Sequence, residues 1–249
     1  VITNNQIKLV KSLHQRKFRQ KYDKFIAEGD KMGQEILQNS IYDIDAIFAL
    51  ASWAEENEES ILKHRSKVHS VTKSDMSKIS ALSTSSGVLM VVNMHEENTP
   101  KLDSGHTIFL DGVQDPGNVG TIIRLADWFG FKQVIRNKNT ADFYSPKTIQ
   151  ATMGSFLNVD LITAEFGDLD MEGVQSIGAD MHGKPLQTMN WSKNTLLVMG
   201  SEGRGISGPV HQELDDFVTI PGSASKVAES LNVAMATGII ASYMMGSSS

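Results

Sequence analysis

The stretch from Thr107 to Phe129 constrains the fold of this chain more than any other. Thr107-Ile108-Phe109-Leu110 is a short apolar run that reads as a buried strand. Asp115-Pro116-Gly117-Asn118-Val119-Gly120 follows as a tight polar turn, with Pro116, Gly117 and Gly120 suited to it. The turn opens a helical pattern in which Ile122, Leu125, Ala126 and Phe129 share one face. A strand that ends in a polar turn and opens a helix belongs to α/β folds, which bind ligands at such junctions. Arg124 points away from the apolar face. A solvated helix arginine and a ligand-facing one both fit that position.

The same alternation continues to the end of the chain. Strands are predicted at 107–111, 132–136, 158–162, 176–180, 195–199 and 217–220, and helices at 120–129, 145–153, 208–214 and 228–245. Strands alternating with helices predict an α/β fold with a mainly parallel sheet and helices on both faces. The last helix is apolar almost all round, from Leu231 and Val233 to Met244 and Met245, so it is expected to be buried. A second subunit could supply part of that cover. Gly246–Ser249 is expected to fray.

The first 95 residues form a separate pattern. Gln6 to about Asn39 alternates basic and apolar residues in a helical manner. A strand is predicted over Ile41–Ala51, a helix over Trp53–Lys63, and a short strand at His69–Val71. A short helix over 74–79 is expected to be capped by Ser74 or Asp75. Gly87–Val92 reads as a buried strand. These elements predict a small α/β domain over residues 1–95. Residues 96–105 are polar, contain Pro100 and Gly105, and carry a linker signature, leaving 106–249 as the second domain.

The chain has no cysteine, which excludes disulfides and thiolate metal sites, and its seven histidines lack ligand spacing, so no metal is expected. No segment resembles a signal peptide and no apolar run could span a membrane, so a cytoplasmic protein is expected. The net charge of −6 argues against nucleic acid only as a sum. Residues 1–98 are charge-balanced and contain a basic stretch of Lys8, Lys11, Arg16, Lys17, Arg19, Lys21 and Lys24, opposed only by Asp23. A local patch matters more to phosphate binding than the total. A solvated helix face would carry the same residues.

Two further polar islands follow predicted strands. Gly200-Ser201-Glu202-Gly203-Arg204-Gly205-Ile206-Ser207-Gly208 contains a formal G-x-G-x-x-G. A dinucleotide site would need a long crossover helix and an acidic residue ending the next strand. Pro209 follows at once and the next strand ends in Pro221-Gly222, so the context fails. What remains is a glycine-rich turn that exposes main chain beside Glu202 and Arg204. The third island, Ile220-Pro221-Gly222 and then Glu229-Ser230-Leu231-Asn232-Val233-Ala234, opens the final helix. Helix capping explains Ser230 or Asn232, but not both.

Taken in order, these islands resemble the three motifs of the SpoU-type RNA 2′-O-ribose methyltransferases of the SPOUT superfamily. Residues 1–95 resemble the ribosomal-protein-like substrate-binding domain that often precedes the catalytic domain, through Phe25–Lys31 and Ser83–Val91. Leu125 stands where a small polar residue is common, and the loop Ser223–Ala228 is longer than in many relatives. The resemblance implies a catalytic domain tied in a deep trefoil knot. It implies S-adenosylmethionine as cofactor, held through main-chain groups at positions matching Gly200, Ile220 and Leu231, with Met199 and Gly205 beside them. It places Arg124 at the ribose hydroxyl. An arginine stays protonated at a pKa of about 12 or more, so Arg124 is expected to act as a cationic donor. Glu202 is expected to orient Arg124 or to accept the proton, and Asn118 and Asn232 to position the ribose and loops with support from Ser230. A homodimer formed through the C-terminal helix is implied. The N-terminal domain is expected to select RNA through Lys8, Lys11, Arg16, Lys17, Arg19 and Lys21, with ribosomal RNA favoured over transfer RNA. A non-catalytic RNA-binding protein on the same fold is the alternative.

Overall fold

The computed structural model describes residues 2–223, 225 and 227–247, the side chain of Ser247 excepted. Ser248 and Ser249, expected to fray, lie outside the described residues. The chain forms two units, one of Val1–Glu96 with Asp142–Leu157 and one of Glu97–Ala141 with Asn158–Ser249.

In the first unit the helices α1 (Asn4–Ser12) and α2 (Arg16–Tyr22) precede a strand, β1 (Lys24–Glu28), and α3 (Asp30–Gln38). The helical reading of Gln6–Asn39 missed that strand. Phe25, Ile26 and Ala27 are buried consecutively, and a short run buried on both sides has no period to distinguish it. Asp23 and Gly29 bound it with φ of 50° and 125°, which stop a helix at either end. The strand β2 (Ile44–Ala49) lies within the predicted range. The predicted helix over Trp53–Lys63 is two short pieces, α4 (Ala51–Glu56) and α5 (Glu58–Ile61), separated at Asn57. There follow β3 (Val68–Ser70), α6 (Lys73–Ile79) and β4 (Val88–Asn93). Thr72, not Ser74 or Asp75, caps α6, its hydroxyl accepting the Asp75 N–H at 3.1 Å. The hydrophobic period starts later than the cap and misplaced it.

The four strands lie in the order β1-β4-β2-β3, with β4 antiparallel to both neighbours and β3 parallel to β2. Ile26, Phe48, Leu89 and Val91 pack with Val10, Leu13, Met76 and Ile79 in one core. The helix α8 (Pro146–Thr152) packs on β1, and the Phe25 ring lies 4.9 Å from that of Tyr144 and 5.8 Å from that of Phe156. Helix 145–153 was predicted in the second domain. It forms, but its segment belongs to the first unit because its aromatic residues are buried there.

Arg19 departs furthest from expectation. It is 2% exposed, so it is no phosphate contact. Its Nη2 and Nε donate to Asp142 at 2.5 and 3.1 Å, and its Nη1 donates to the Leu13 carbonyl at 2.8 Å. A buried guanidinium needs such partners, and the sequence separation of 123 residues hid them. Lys8, Lys11, Arg16, Lys17 and Lys21 remain exposed.

The second unit is built on a six-stranded sheet, parallel at every pairing among the described residues. Its strands are β5 (Thr107–Asp111), β6 (Gln133–Arg136), β7 (Asp160–Thr163), β8 (Gln175–Pro185), β9 (Thr195–Gly200) and β10 (Asp216–Thr219). They lie in the order β10-β8-β9-β5-β6-β7. The central strands β5 and β9 are buried along almost their whole length, as parallel strands covered on both faces must be. Phe109, Ile135, Leu196 and Val198 form one core with Phe166, Ile206 and Val210. The helices are α7 (Pro116–Phe129), α9 (Gly208–Gln212) and α10 (Val233–Ser247), and α10 packs on α7 and β9. The helix α7 starts four residues before its predicted start. Asp115 caps it, Pro116 occupies the first turn, where a missing N–H costs nothing, and Gly130 ends it at φ 76°. The final helix starts at Val233, not 228, and residues 227–232 are exposed and irregular.

Replacing Arg19 by alanine leaves the part-buried Asp142 without its cation and should cost about 3 kcal/mol of stability. Lys17→Ala should stay within about 0.5 kcal/mol of the parent. Parallel urea and thermal unfolding curves check both, and equal losses would contradict the buried-pair assignment.

Candidate functional site

Parallel pairing places the carboxyl ends of β5 and β9 side by side, with Asp111 opposite Gly200. The strand order reverses here, since β6 and β7 lie to one side of β5 and β9, β8 and β10 to the other. Ligands in open parallel sheets bind outside the strand ends at such a switch point. The first and second polar islands are the two loops that leave it.

The first island forms the N-terminal turn of α7. The Asp115 carboxylate accepts the Asn118 N–H at 2.9 Å, which fixes the backbone of Asn118. The second island is a closed turn. Ser201 N–H donates to the Gly205 carbonyl at 3.0 Å, Gly205 N–H returns a bond to Ser201 at 2.9 Å, and Gly205 takes φ 67°. A Cβ at Gly200 would come within 2.2 Å of the Gly205 backbone, so only glycine permits this closure. Glu202 sits at the tip, exposed.

The third island returns to the other two. Asn232 is the N-cap of α10, its Oδ1 accepting from Ala234 and Met235 at 3.0 and 3.2 Å. Its Nδ2 donates to Asn118 Oδ1 at 2.9 Å, and Asn118 Nδ2 donates to Glu202 Oε1 at 2.6 Å. Asn118 thus joins all three islands through one amide. Capping accounts for Asn232, while Ser230 is an exposed residue two positions before the cap.

Arg124 lies on the exposed side of α7, and among the described residues it makes no ion pair. In this structure Glu202 takes Asn118 as partner, not Arg124. Of the expected cofactor positions, Met199 is buried, so only its main chain can serve a ligand, and Gly200 ends β9 against Gly205. Ile220 follows β10, two strands away from β9, and Leu231 is 52% exposed beside the Asn232 cap. Irregular main chain with an exposed apolar side chain at Leu231 has the chemistry an adenosine requires, polar edges for the base and an apolar surface for its face. Sequence reasoning passed over Asp111, Asn137 and Thr140, a buried polar cluster at the ends of β5 and β6. The available signal was an acidic residue closing the apolar run Thr107–Leu110.

Among the described residues no group of acidic and histidine side chains could hold a metal ion. No described helix is long and apolar enough to cross a membrane.

Residues 105–242 match the SpoU rRNA Methylase family, and residues 4–90 match the MRM3-like substrate binding domain. The chain is similar to the 23S rRNA (guanosine(2553)-2′-O)-methyltransferase RlmP of Bacillus subtilis (strain 168), with 29% identity over 98% of this chain and 97% of that protein. Its structure resembles that of a TrmH-family protein from Porphyromonas gingivalis, with 36% identity, a TM-score of 0.85 and 98% of each chain covered. It also resembles the AdoMet-bound rRNA methyltransferase of Sinorhizobium meliloti, with 28% identity and a TM-score of 0.83 over 98% of this chain and 95% of that one. A polar site closed by three motifs at the switch point of a parallel sheet, together with a family match over more than half of the sequence, places the chain in the SpoU rRNA methylase family.

Proposed function

We propose that this chain methylates the 2′-hydroxyl of a ribose in RNA, ribosomal RNA by the likeness to its relatives, with S-adenosylmethionine as donor. The observation that carries this reading is the hydrogen-bonded chain Glu202–Asn118–Asn232, which gathers the three motifs into one site. Bound S-adenosylmethionine supplies an electrophilic methyl group on a sulfonium. The main chain at Gly200, Ile220 and Leu231, with Met199 and Gly205, would hold it.

The protein's own residues position the acceptor and stabilise charge. Arg124, a guanidinium exposed at the active face, donates to the ribose oxygen as the hydroxyl proton passes to solvent and charge builds on that oxygen, and it donates to the adjoining phosphate. Glu202 holds the Asn118 amide in one orientation, so that Asn118 Oδ1 faces Asn232. Glu202 is therefore a positioning residue in this proposal. Ser230 lies in the exposed segment before the cap, within reach of a ligand held at Leu231. The residues 1–95 select RNA through Lys8, Lys11, Arg16, Lys17 and Lys21, with Arg19 removed from that set.

The deep trefoil knot belongs to this proposal. The return of the segment before α10 to the loops after β5 and β9 supports it. The homodimer through the C-terminal helix belongs to this proposal too. A groove of about 460 Å³ between α7 and α10 is lined by Leu125, Phe129, Met235, Ile239 and Tyr243, and Met235 is 63% exposed. Exposed apolar area of this kind is a protein-contact surface. A cytoplasmic location belongs to this reading as well and agrees with the substrate class.

Transfer of a tritiated methyl group to ribosomal RNA from a strain lacking the protein, with the product nucleotide mapped, tests the activity. Methylation of transfer RNA alone would replace the substrate. Arg124→Lys keeps the charge but loses the planar fork, and should lower kcat by about 10²-fold. Near-normal turnover would refute the bidentate role. Glu202→Gln keeps an acceptor for Asn118 and should retain activity within about threefold, while Glu202→Ala should lose about tenfold. If Glu202→Gln were as inactive as Glu202→Ala, the glutamate would be the proton acceptor instead. Converting Lys17 and Lys21 to glutamine should weaken RNA binding and reduce the salt slope of log K by about 0.7 for each cation lost, leaving S-adenosylmethionine affinity unchanged.

A further inference from the structure

We infer that Asp111 is a positioning residue for the methyl-donor pocket, tying the glycine-rich loop after β9 to the ends of β5 and β6. This rests on the pocket assignment above. Asp111 closes β5, is 4% exposed and uses both carboxylate oxygens. Oδ2 accepts the main-chain N–H of Ser207 at 2.6 Å, across 96 residues of sequence. Oδ1 accepts from Asn137 Nδ2 at 2.6 Å.

The orientation of Asn137 is fixed by its other end. Its Oδ1 accepts the N–H of Gly112 at 3.2 Å and the N–H of Thr140 at 3.1 Å. The Thr140 hydroxyl donates to the Leu110 carbonyl at 2.8 Å and accepts a second bond from the Gly112 N–H at 2.9 Å. With its oxygen committed to donors, Asn137 must turn its NH₂ toward residue 111. The carboxylate therefore meets N–H groups on both sides, and only an acceptor-only side chain satisfies both. Ser207 is two residues beyond Gly205, the glycine whose backbone closes on Gly200. The Asp111–Ser207 bond thus clamps the far end of that loop to the strand beside its origin. The clamp acts on the main chain, which is what the pocket offers to the donor.

Asp111→Asn sets an NH₂ against either Ser207 N–H or the Asn137 NH₂. Asn137→Asp sets two carboxylates face to face. The exchange Asp111→Asn with Asn137→Asp restores every bond, with one donor direction reversed: the amide introduced at position 111 donates to the carboxylate introduced at position 137, and its oxygen accepts from Ser207. Ser207→Pro removes the N–H at a residue whose φ of −64° already suits proline and whose side chain makes no cap bond, and it sets the ring Cδ where the hydrogen faced Asp111, so the clamp cannot form.

Calorimetric titration of the full chain with S-adenosylmethionine tests this. Each single variant, including Ser207→Pro, should raise Kd about tenfold. At saturating donor kcat should fall less than threefold, and RNA affinity should not change. The exchange variant should recover Kd to within about threefold of the parent. If Asp111→Asn does not fold, Ser207→Pro and the exchange variant decide. Unchanged donor affinity in the folded single variants, or an exchange variant no better than them, overturns the inference. Hydrogen exchange separates the two readings. If S-adenosylmethionine fails to slow the amides of 200–208 in the parent, the pocket assignment fails. If it slows them and Asp111→Asn still binds normally, Asp111 alone is excluded.

Discussion

One side-chain amide holds the site together. Asn118 has a single oxygen and a single NH₂, and the structure spends the first on Asn232 and the second on Glu202, residues 114 and 84 positions away. The two bonds need each other, because each fixes the orientation of the amide that the other uses. Asn118 can play this part only because the Asp115 cap sets its backbone in the first turn of α7. Asn232 can play it only because it caps α10. Two helix starts thereby become two walls of one site. The capping bonds that begin the helices are the bonds that aim the functional groups.

Beneath that contact lies the parallel sheet. Parallel strands send all their following loops out of the same edge, and burial of β5 and β9 on both faces keeps that edge rigid. The loops can then be irregular, and Gly200 and Gly205 approach more closely than any side chain would allow. The division of labour is physical: strands supply register, and loops supply exposed main chain.

The sequence revealed the elements with long periods or strong punctuation. The six strands of the second unit and the helix after Asp115-Pro116 were legible because apolar runs alternate regularly there with polar turns, although reading those turn residues as loop placed the helix start too late. The strand β1 left no such trace, since Phe25, Ile26 and Ala27 present three buried positions in a row among basic neighbours. Asn118, Arg124, Glu202 and Asn232 were singled out through the resemblance of their three islands to known motifs, and their bonding was not legible. Which amide faces which carboxylate is set by tertiary contact across 84 residues, and no window of sequence contains it. Asp111 was missed for the same reason, because a lone acid after an apolar run looks like the start of a loop until Ser207 and Asn137 arrive around it.

The fate of the basic stretch shows how far charge counting can be carried. Arg19 is one cation among seven in sequence, yet its guanidinium is consumed by Asp142 and the Leu13 carbonyl, so it holds the unit together and offers no phosphate contact. The neighbouring lysines stay exposed, and Lys17 and Lys21 lie over the rings of Phe18 and Tyr22 at 4.8 and 5.2 Å. Those rings are stacked with 6.3 Å between their centroids. The ammonium groups themselves lie over the aromatic faces while both lysines stay exposed, a cation–π contact that orders the cations without neutralising them. At physiological salt the screening length is about 8 Å, so a phosphate approaching α2 responds to these few cations and hardly to the −6 carried by the whole chain. An acidic total is therefore no bar to a polyanion where, as on α2, the exposed cations outnumber the acids beside them, Asp23 at the helix end and Asp142 paired with Arg19.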